Sequence, residues 1–290
     1  GDGTSNYAEG LLSVAAGTWH TLLLKTDGSL WATGLNDNGQ LGDGTNTQNQ
    51  TFEEIVSSGV VAISAGHKHS SYLKADGSLW VMGQNSKGQL GDGSATDRLT
   101  PYQVESSGVA QVSLGHSTTL YRKTDGSVWG MGRNGNGILG DGTSVDRNVS
   151  TQIISSGVID LSTGKYEIGH ALFLKSDGSL WGIGAGTNGR LSNLTTIARK
   201  SPLRIRSSGV EGISASFEHS LFLEQNGSVW TFGNNPYGQL GDGSTNQRTS
   251  PLEIVSSGVV QLTTLNQSSY FSDTNGSLWA FGKNLYGQLG

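Results

Sequence analysis

Asp27-Gly28-Ser29-Leu30-Trp31 returns along this chain as Asp76 to Trp80, Asp125 to Trp129, Asp177 to Trp181, Asn226 to Trp230 and Asn275 to Trp279. Its tryptophans are spaced 49, 49, 52, 49 and 49 residues apart, so one unit of about fifty residues fills the 290-residue chain. A fixed period of this size marks solenoids, propellers and arrays, whose stacked units jointly bury apolar surface that no single unit can bury alone.

Working outward from the first copy, Leu11-Leu12-Ser13-Val14-Ala15-Ala16 before Gly17 reads as a strand, as does Val60-Val61-Ala62-Ile63-Ser64-Ala65 before Gly66. Thr21 to Thr26 and Ser29 to Thr33 flank Asp27-Gly28, a strong hairpin signal that predicts a type I′ turn. That turn sets Leu24 opposite Trp31 and Leu23 opposite Ala32. Four places before the turn stand Leu23, Tyr72, Tyr121, Phe173, Phe222 and Phe271, and three before it Leu24, Leu73, Arg122, Leu174, Leu223 and Ser272. A hairpin apolar on both faces must lie between other sheets. A glycine-punctuated loop follows at 34–44, recurs at 83–93, 132–142 and 233–243, and is degraded at 184–193. A short edge strand then comes, such as Phe52-Glu53-Glu54-Ile55-Val56 or Pro251-Leu252-Glu253-Ile254-Val255. Four short strands per copy without helical periodicity describe a propeller blade.

The expected fold is all-β, a single β-propeller domain over 1–290 with about six four-stranded blades. The copies are 11–58, 59–107, 108–156, 157–208, 209–257, and 258–290 together with 1–10. Gly287-Gln288-Leu289-Gly290 followed by Gly1-Asp2-Gly3-Thr4 nearly rebuilds the motif seen whole at 39–45, which predicts a ring closed by the two termini sharing one blade. Gly3 to Gly17 spans 14 residues where Gly44 to Gly66 spans 22, so the closing blade would have a shortened outer strand. Seven blades, or a stretch cut from a longer array, are the alternatives.

Charged residues make up 14% of the chain and the net charge is −5, which gives no field suited to nucleic acid or an anionic membrane. No apolar run reaches membrane-spanning length. Cysteine is absent, which excludes disulfides, thiolate metal sites and cysteine nucleophiles. Abundant Ser, Thr, Asn and Gly with little Lys fit an extracellular or cell-surface bacterial protein.

Ala65-Gly66-His67-Lys68-His69-Ser70, then Leu73, Asp76-Gly77, Trp80, Gly83, Asn85 and Gly88-Gln89-Leu90-Gly91, resembles the repeat of the regulator of chromosome condensation family. The resemblance covers essentially the whole chain and implies a β-propeller, although known members mostly have seven blades. It also implies a choice of functions: nucleotide exchange on a small GTPase, ultraviolet-B reception in plants, ubiquitin-ligase modules, or inhibition of β-lactamase by a secreted bacterial member. The short, even copies leave no room for the exchange factor's long inserted loop. The photoreceptor's interface tryptophans are matched here only by Trp19, with Lys68, Ser117, Tyr166, Glu218 and Gln267 at that place elsewhere. The secreted inhibitor, which binds a protein through loops, is the nearest analogue in style.

His20, His69, His170 and His219 occupy one repeated position and read as scaffold. His67 and His116 follow the glycine at a place held elsewhere by Thr18, Lys165, Phe217 and Asn266; two histidines without a nearby carboxylate make a weak zinc signal. Asp43, Asp92, Asp141 and Asp242 lack the terminal Glu of a calcium loop and read as turn scaffold. Gly132-Arg133-Asn134-Gly135-Asn136-Gly137 precedes no helix, as a phosphate loop would. Repeated Ser and Asp cannot supply the unique nucleophile of a triad. Copy four departs most: its 163–170 segment is three residues longer, and Arg190-Leu191-Ser192-Asn193 replaces Gln-Leu-Gly-Asp.

The reading is a non-enzymatic scaffold without metal or cofactor, binding an unnamed protein through loops that carry Trp19, His67, Lys68, His116, Tyr166, Glu167, Phe217 and Glu218. A glycan-binding propeller is the alternative and an enzyme a third possibility; neither nucleic acid nor membrane is an expected partner.

Overall fold

The computed structural model describes residues 9–165, 167, 169–192 and 196–290. Contacts divide the chain into two compact units, one reaching Asn134 and including Val145–Ser155, the other made of Gly135–Ser144 and Ser156–Gly290.

The first unit holds three antiparallel four-stranded sheets. Sheet one is β1 (Leu11–Ala16), β2 (His20–Lys25), β3 (Leu30–Gly34) and β4 (Asn49–Val56). Sheet two is β5 (Val60–Ala65), β6 (His69–Lys74), β7 (Leu79–Gly83) and β8 (Arg98–Glu105). Sheet three is β9 (Val109–Leu114), β10 (Thr118–Lys123), β11 (Val128–Gly132) and β12 (Arg147–Ile154). In the second unit, sheet four is β13 (Val158–Thr163), β14 (His170–Lys175), β15 (Leu180–Gly184) and β16 (Arg199–Arg206). Sheet five is β17 (Val210–Ala215), β18 (His219–Glu224), β19 (Val229–Gly233) and β20 (Arg248–Val255). Sheet six has three strands among the described residues, β21 (Val259–Leu265), β22 (Ser268–Asp273) and β23 (Leu278–Gly282). The shared closing blade rests on residues 1–8, which lie outside the described residues. No helix among the described residues is long and apolar enough to cross a membrane.

The central hairpin forms where expected, but its register differs by one place: Leu23 pairs with Trp31 and Leu24 with Leu30. The cause is the turn. Gly28 N–H donates to Lys25 O at 3.0 Å and Lys25 N–H to Ser29 O at 3.0 Å, so three residues, Thr26-Asp27-Gly28, form the loop. Gly28 sits at φ +80° while Asp27 keeps a negative φ, the pattern of a type I turn closed by a glycine bulge rather than a type I′ turn. Asp27 Oδ1 accepts the Ser29 N–H at 2.9 Å, which fixes the aspartate as a local cap. Gly28 also approaches the next copy: a Cβ there would lie 2.8 Å from Gly59 N, and Gly28 O accepts the Val60 N–H at 3.0 Å. Gly28→Ala is therefore expected to cost roughly 2 kcal/mol, against about 1 kcal/mol for Gly59→Ala, where φ is +82° but nothing lies within 4 Å. Urea midpoints of the two variants check this; equal losses would show that the close approach contributes nothing.

The corrected register puts Trp31 beside Leu23 and each of the other five tryptophans beside a tyrosine or phenylalanine of the same column. Tyr72 stacks on Trp80 at 6.0 Å and 4°, and Phe222 on Trp230 at 6.0 Å and 1°. Lys25 lies 4.6 Å over Trp31 and Lys175 4.8 Å over Trp181, each pair closing the half-buried ring from outside. Cores form between successive sheets within each unit. Leu22, Leu24 and Leu30 meet Val60, Tyr72 and Met82, and Leu172, Leu174 and Leu180 meet Val210, Phe222 and Phe232. This is the sandwiching that a hairpin apolar on both faces requires.

Histidines tie successive sheets together. His20 Nε2 meets Ser70 Oγ at 2.9 Å, His69 meets Thr119 Oγ1 at 3.1 Å, His170 meets Ser220 Oγ at 2.7 Å and His219 meets Ser269 Oγ at 2.8 Å. Each hydroxyl donates its only proton to a backbone carbonyl, as Ser70 does to Gln40 O at 2.7 Å and Ser220 to Arg190 O at 3.1 Å. The histidine must then donate from Nε2, and burial holds His69, His170 and His219 below the ordinary imidazole value. Nδ1 of His69 and His170 turns toward glycine, where a Cβ on Gly66 or Gly164 would stand 2.6 or 3.1 Å away. The structure thus assigns these four histidines to the scaffold.

Candidate binding surface

In the first unit, the turns joining β1 to β2, β5 to β6 and β9 to β10 share one geometry. Gly17, Gly66 and Gly115 donate backbone N–H groups to His20 O, His69 O and Thr118 O at 2.9, 2.9 and 2.8 Å. The residues after those glycines line up: Thr18 Oγ1 lies 2.7 Å from His67 Nδ1, and the His67 and His116 rings stack at 4.1 Å and 13°. Lys68, one place further on, reaches back to the preceding copy's loop and pairs with Asp37 Oδ2 at 2.7 Å. Burial opposes the charge of Asp37, but the Lys68 ammonium and Gln40 amide outweigh it and hold the carboxyl below its ordinary value.

Trp19 occupies the place of Lys68 in the first copy and is 66% exposed. A shallow groove of about 620 Å³ runs beside it, lined by Thr33, Leu35, Gln48, Asn49 and Gln50. Trp19, His67, Lys68 and His116 therefore lie along successive turns of one unit.

The second unit treats its share of the candidates differently. Glu167 is exposed, and Tyr166 lies outside the described residues. Phe217 is half-buried, its N–H directed at Asn266 O at 3.4 Å. Glu218 is bound internally: Arg190, only 1% exposed, places Nη2 3.2 Å from its Oε1, while Asn234 Nδ2 donates to its Oε2 at 2.6 Å. Arg190 Nε also donates to Thr187 O at 2.8 Å. Glu218 thus anchors the copy-four loop to the next turn. The sequence showed the Arg190 departure but not its mate. The signal was a second departure 28 residues later, at the place that Lys68 holds in the second copy, where Lys68 likewise reaches back to the preceding copy's loop.

The Gly-Asp-Gly carboxylates are occupied by their own loops. Asp43 Oδ1 accepts Asn36 Nδ2 at 3.0 Å and Thr45 N at 2.8 Å, and Asp92 and Asp242 pair with Arg98 and Arg248 at 2.6 Å. Among the described residues no three His, Cys, Asp or Glu gather in a set that could hold a metal ion.

Repeated antiparallel sheets, each opened by an apolar strand, centred on a glycine-bulged hairpin and stacked through a two-faced core, are blades of the β-propeller class. The chain belongs to the RCC1-like domain family, whose model matches residues 51–290; the regulator of chromosome condensation repeat matches 12–40 and 27–73. Human WBSCR16 is similar in structure, with a TM-score of 0.81 at 23% identity over 97% of this chain and 78% of that one. Yeast RCC1 (Prp20) bound to Kap60 has a TM-score of 0.81 at 19% identity, over 94% and 70% of the two chains. Prp20p from Saccharomyces cerevisiae, studied with its binding to Gsp1p and histones, has a TM-score of 0.78 at 20% identity, over 94% and 72%. At these identities the likeness is one of fold. No curated protein sequence matches the chain.

Proposed function

We propose that this domain is a non-enzymatic scaffold that binds a protein partner through the turns following the repeated glycines, with Trp19 as its anchor. The carrying observation is the 66% exposure of Trp19 at a turn tip whose equivalent in the next copy, Lys68, is held in an ion pair. A large amphipathic ring on a rigid turn suits an interface anchor, because it brings contact area at little entropic cost. The stacked His67 and His116 of the same unit belong to the same proposal; at the corresponding turns of the second unit Glu167 is exposed and Glu218 is held by Arg190. Protein partners of yeast RCC1, namely Kap60, and of Prp20p, namely Gsp1p and histones, support the class of function without naming the partner here.

A glycan reading has one observation in its favour, the amide side chains of Gln48, Asn49 and Gln50 beside Trp19. The composition supports an extracellular or cell-surface setting as part of the same proposal. Trp19→Ala is expected to leave stability within about 0.5 kcal/mol, since the ring is mostly in water, while cutting capture of a native-source protein in a pull-down by roughly tenfold or more. Undiminished capture by the variant refutes the Trp19 assignment. Binding to a glycan array that Trp19→Ala abolishes, with no protein captured, would favour the glycan reading instead.

A further inference from the structure

We propose that β16 carries a carboxylate-recognition site, built on Arg199 with Lys200 and Arg204 beside it, for an acidic segment of a protein partner. Two sister copies show what Arg199 lacks. The outer strands of sheets two to five all begin with arginine, set opposite the last glycine of the third strand, as Arg98 is to Gly83, Arg199 to Gly184 and Arg248 to Gly233. Arg98 Nε donates to Asp92 Oδ2 at 2.7 Å and Arg248 Nε to Asp242 Oδ2 at 2.8 Å, with each Nη2 2.6 Å from the same oxygen. This place in the copy grips a carboxylate through charge-assisted hydrogen bonds.

Copy four keeps the arginine and has lost the acid. By sequence Asn193 stands where the other copies have Asp92 and Asp242, and Asn193-Leu194-Thr195, which lie outside the described residues, include no carboxylate. Ser192 keeps a φ of +51° where Gly91 has +66° and Gly241 +69°, so the loop holds the same turn up to that point. Arg199 Nε is buried and has no hydrogen-bond partner among the described residues. A buried donor on a cation is costly to leave unmet, and a carboxylate brought from outside removes that cost. Asp141 does not supply it: its Oδ1 already accepts the Thr143 N–H and hydroxyl at 2.9 and 2.8 Å.

The rest of the strand fits the same occupant. Lys200 and Arg204 are exposed, and among the described residues neither side chain has a partner. The other lysines and arginines each have one, in ion pairs as Lys68 has with Asp37, over rings as Lys175 is over Trp181, or in further contacts. The unmatched positive charge of a chain whose net charge is −5 therefore gathers on one strand. That strand, Arg-Lys-Ser-Pro-Leu-Arg-Ile-Arg, holds no acid, whereas β4 carries Glu53 and Glu54 and β20 carries Glu253. Gly142 N–H donates to Lys200 O at 2.8 Å and fixes the start of the strand, so Arg199 is presented from a held backbone. A run of Asp or Glu side chains complements this row in charge, and the sister copies show that a carboxylate is the group Arg199 is placed to take.

The test uses the full chain and fluorescein-labelled hexaglutamate at low salt, read by anisotropy. The peptide should bind, Arg199→Gln should weaken it by about tenfold, and Lys200→Gln and Arg204→Gln by about threefold each with a shallower salt dependence. Asn193→Asp, which returns the acid of the other copies, should weaken binding as much as Arg199→Gln while raising the urea midpoint, a combination that misfolding does not produce. Trp19→Ala should bind the peptide as the unaltered chain does. Absence of binding, or equal binding by Arg199→Gln, overturns the proposal. So does inorganic phosphate that competes as strongly per charge as the peptide, because the site would then take free anions rather than an acidic segment.

Discussion

Lowering the pH from 7 to 4.5 should strip stability from the fold through its buried histidines. Burial holds His69 and His219 at about 3 against an ordinary 6.5, with His20, His116 and His67 adding to the effect at His69; His170 is held well below 6.5 by burial, then by Arg190 and His219. Above pH 6.5 these side chains are neutral in both folded and unfolded chains and the stability is fully present. As the pH falls below 6.5 the unfolded chain takes up protons that the folded chain refuses, so stability drops until the folded histidines themselves titrate, His69 and His219 at about 3. The slope is roughly 1 kcal/mol per pH unit for each histidine. Asp92 and Asp242, whose carboxyls are lowered despite burial by hydrogen bonds from Ser94 and Arg248 and their neighbours, add their loss only below about 3.8. The window from 6.5 to about 4 therefore belongs to histidine. Urea unfolding followed by tryptophan fluorescence between pH 7.5 and 4.5 measures it, and His219→Asn should flatten the slope by about one proton. A stability constant across that window would sink the neutral-histidine assignment.

Arg190→Ala is the second large effect, with an expected loss of about 3–5 kcal/mol. The guanidinium is 1% exposed and holds Thr187 O and Glu218 Oε1 from the copy-four loop, so its removal opens a cavity and leaves a partly buried carboxylate to Asn234 and Asn188 alone. Replacing both partners, Arg190→Met with Glu218→Met, should recover much of the loss, because matched apolar side chains avoid desolvating charge. Denaturant midpoints of the single and double variants close the cycle. A loss under about 1 kcal/mol for Arg190→Ala would place the pair among surface ion pairs of little energetic worth.

Much of the architecture was legible because it repeats. Asp27-Gly28 marks a hairpin in any copy, and the columns through Leu23 and Leu24 already demanded neighbours on both faces. The register was missed because Asp-Gly serves both two-residue and three-residue loops; the choice depends on whether Asp27 itself adopts positive φ, which composition does not reveal. Cross-copy pairs were hidden for another reason. Lys68 with Asp37, and Glu218 with Arg190, lie in different elements some thirty residues apart and look like surface charges until the turn of one copy meets the loop of the one before. The closing blade expected from 258–290 with 1–10 rests on residues 1–8, which lie outside the described residues.

The histidine contacts join positions fifty residues apart, so the bond leaving the first, second, fourth and fifth copies ends at a fixed place in the one after. Such a joint has a plug on one side and a socket on the other, and a whole copy that brings both can be gained or lost without leaving either unmatched. Thr118 in sheet three breaks the series, since its hydroxyl turns to Arg133 O within its own copy. A copy inserted or removed in frame between two histidine-bearing copies would still bring an imidazole to face a hydroxyl, so the natural unit of this repeat is bounded by that contact rather than by its loops.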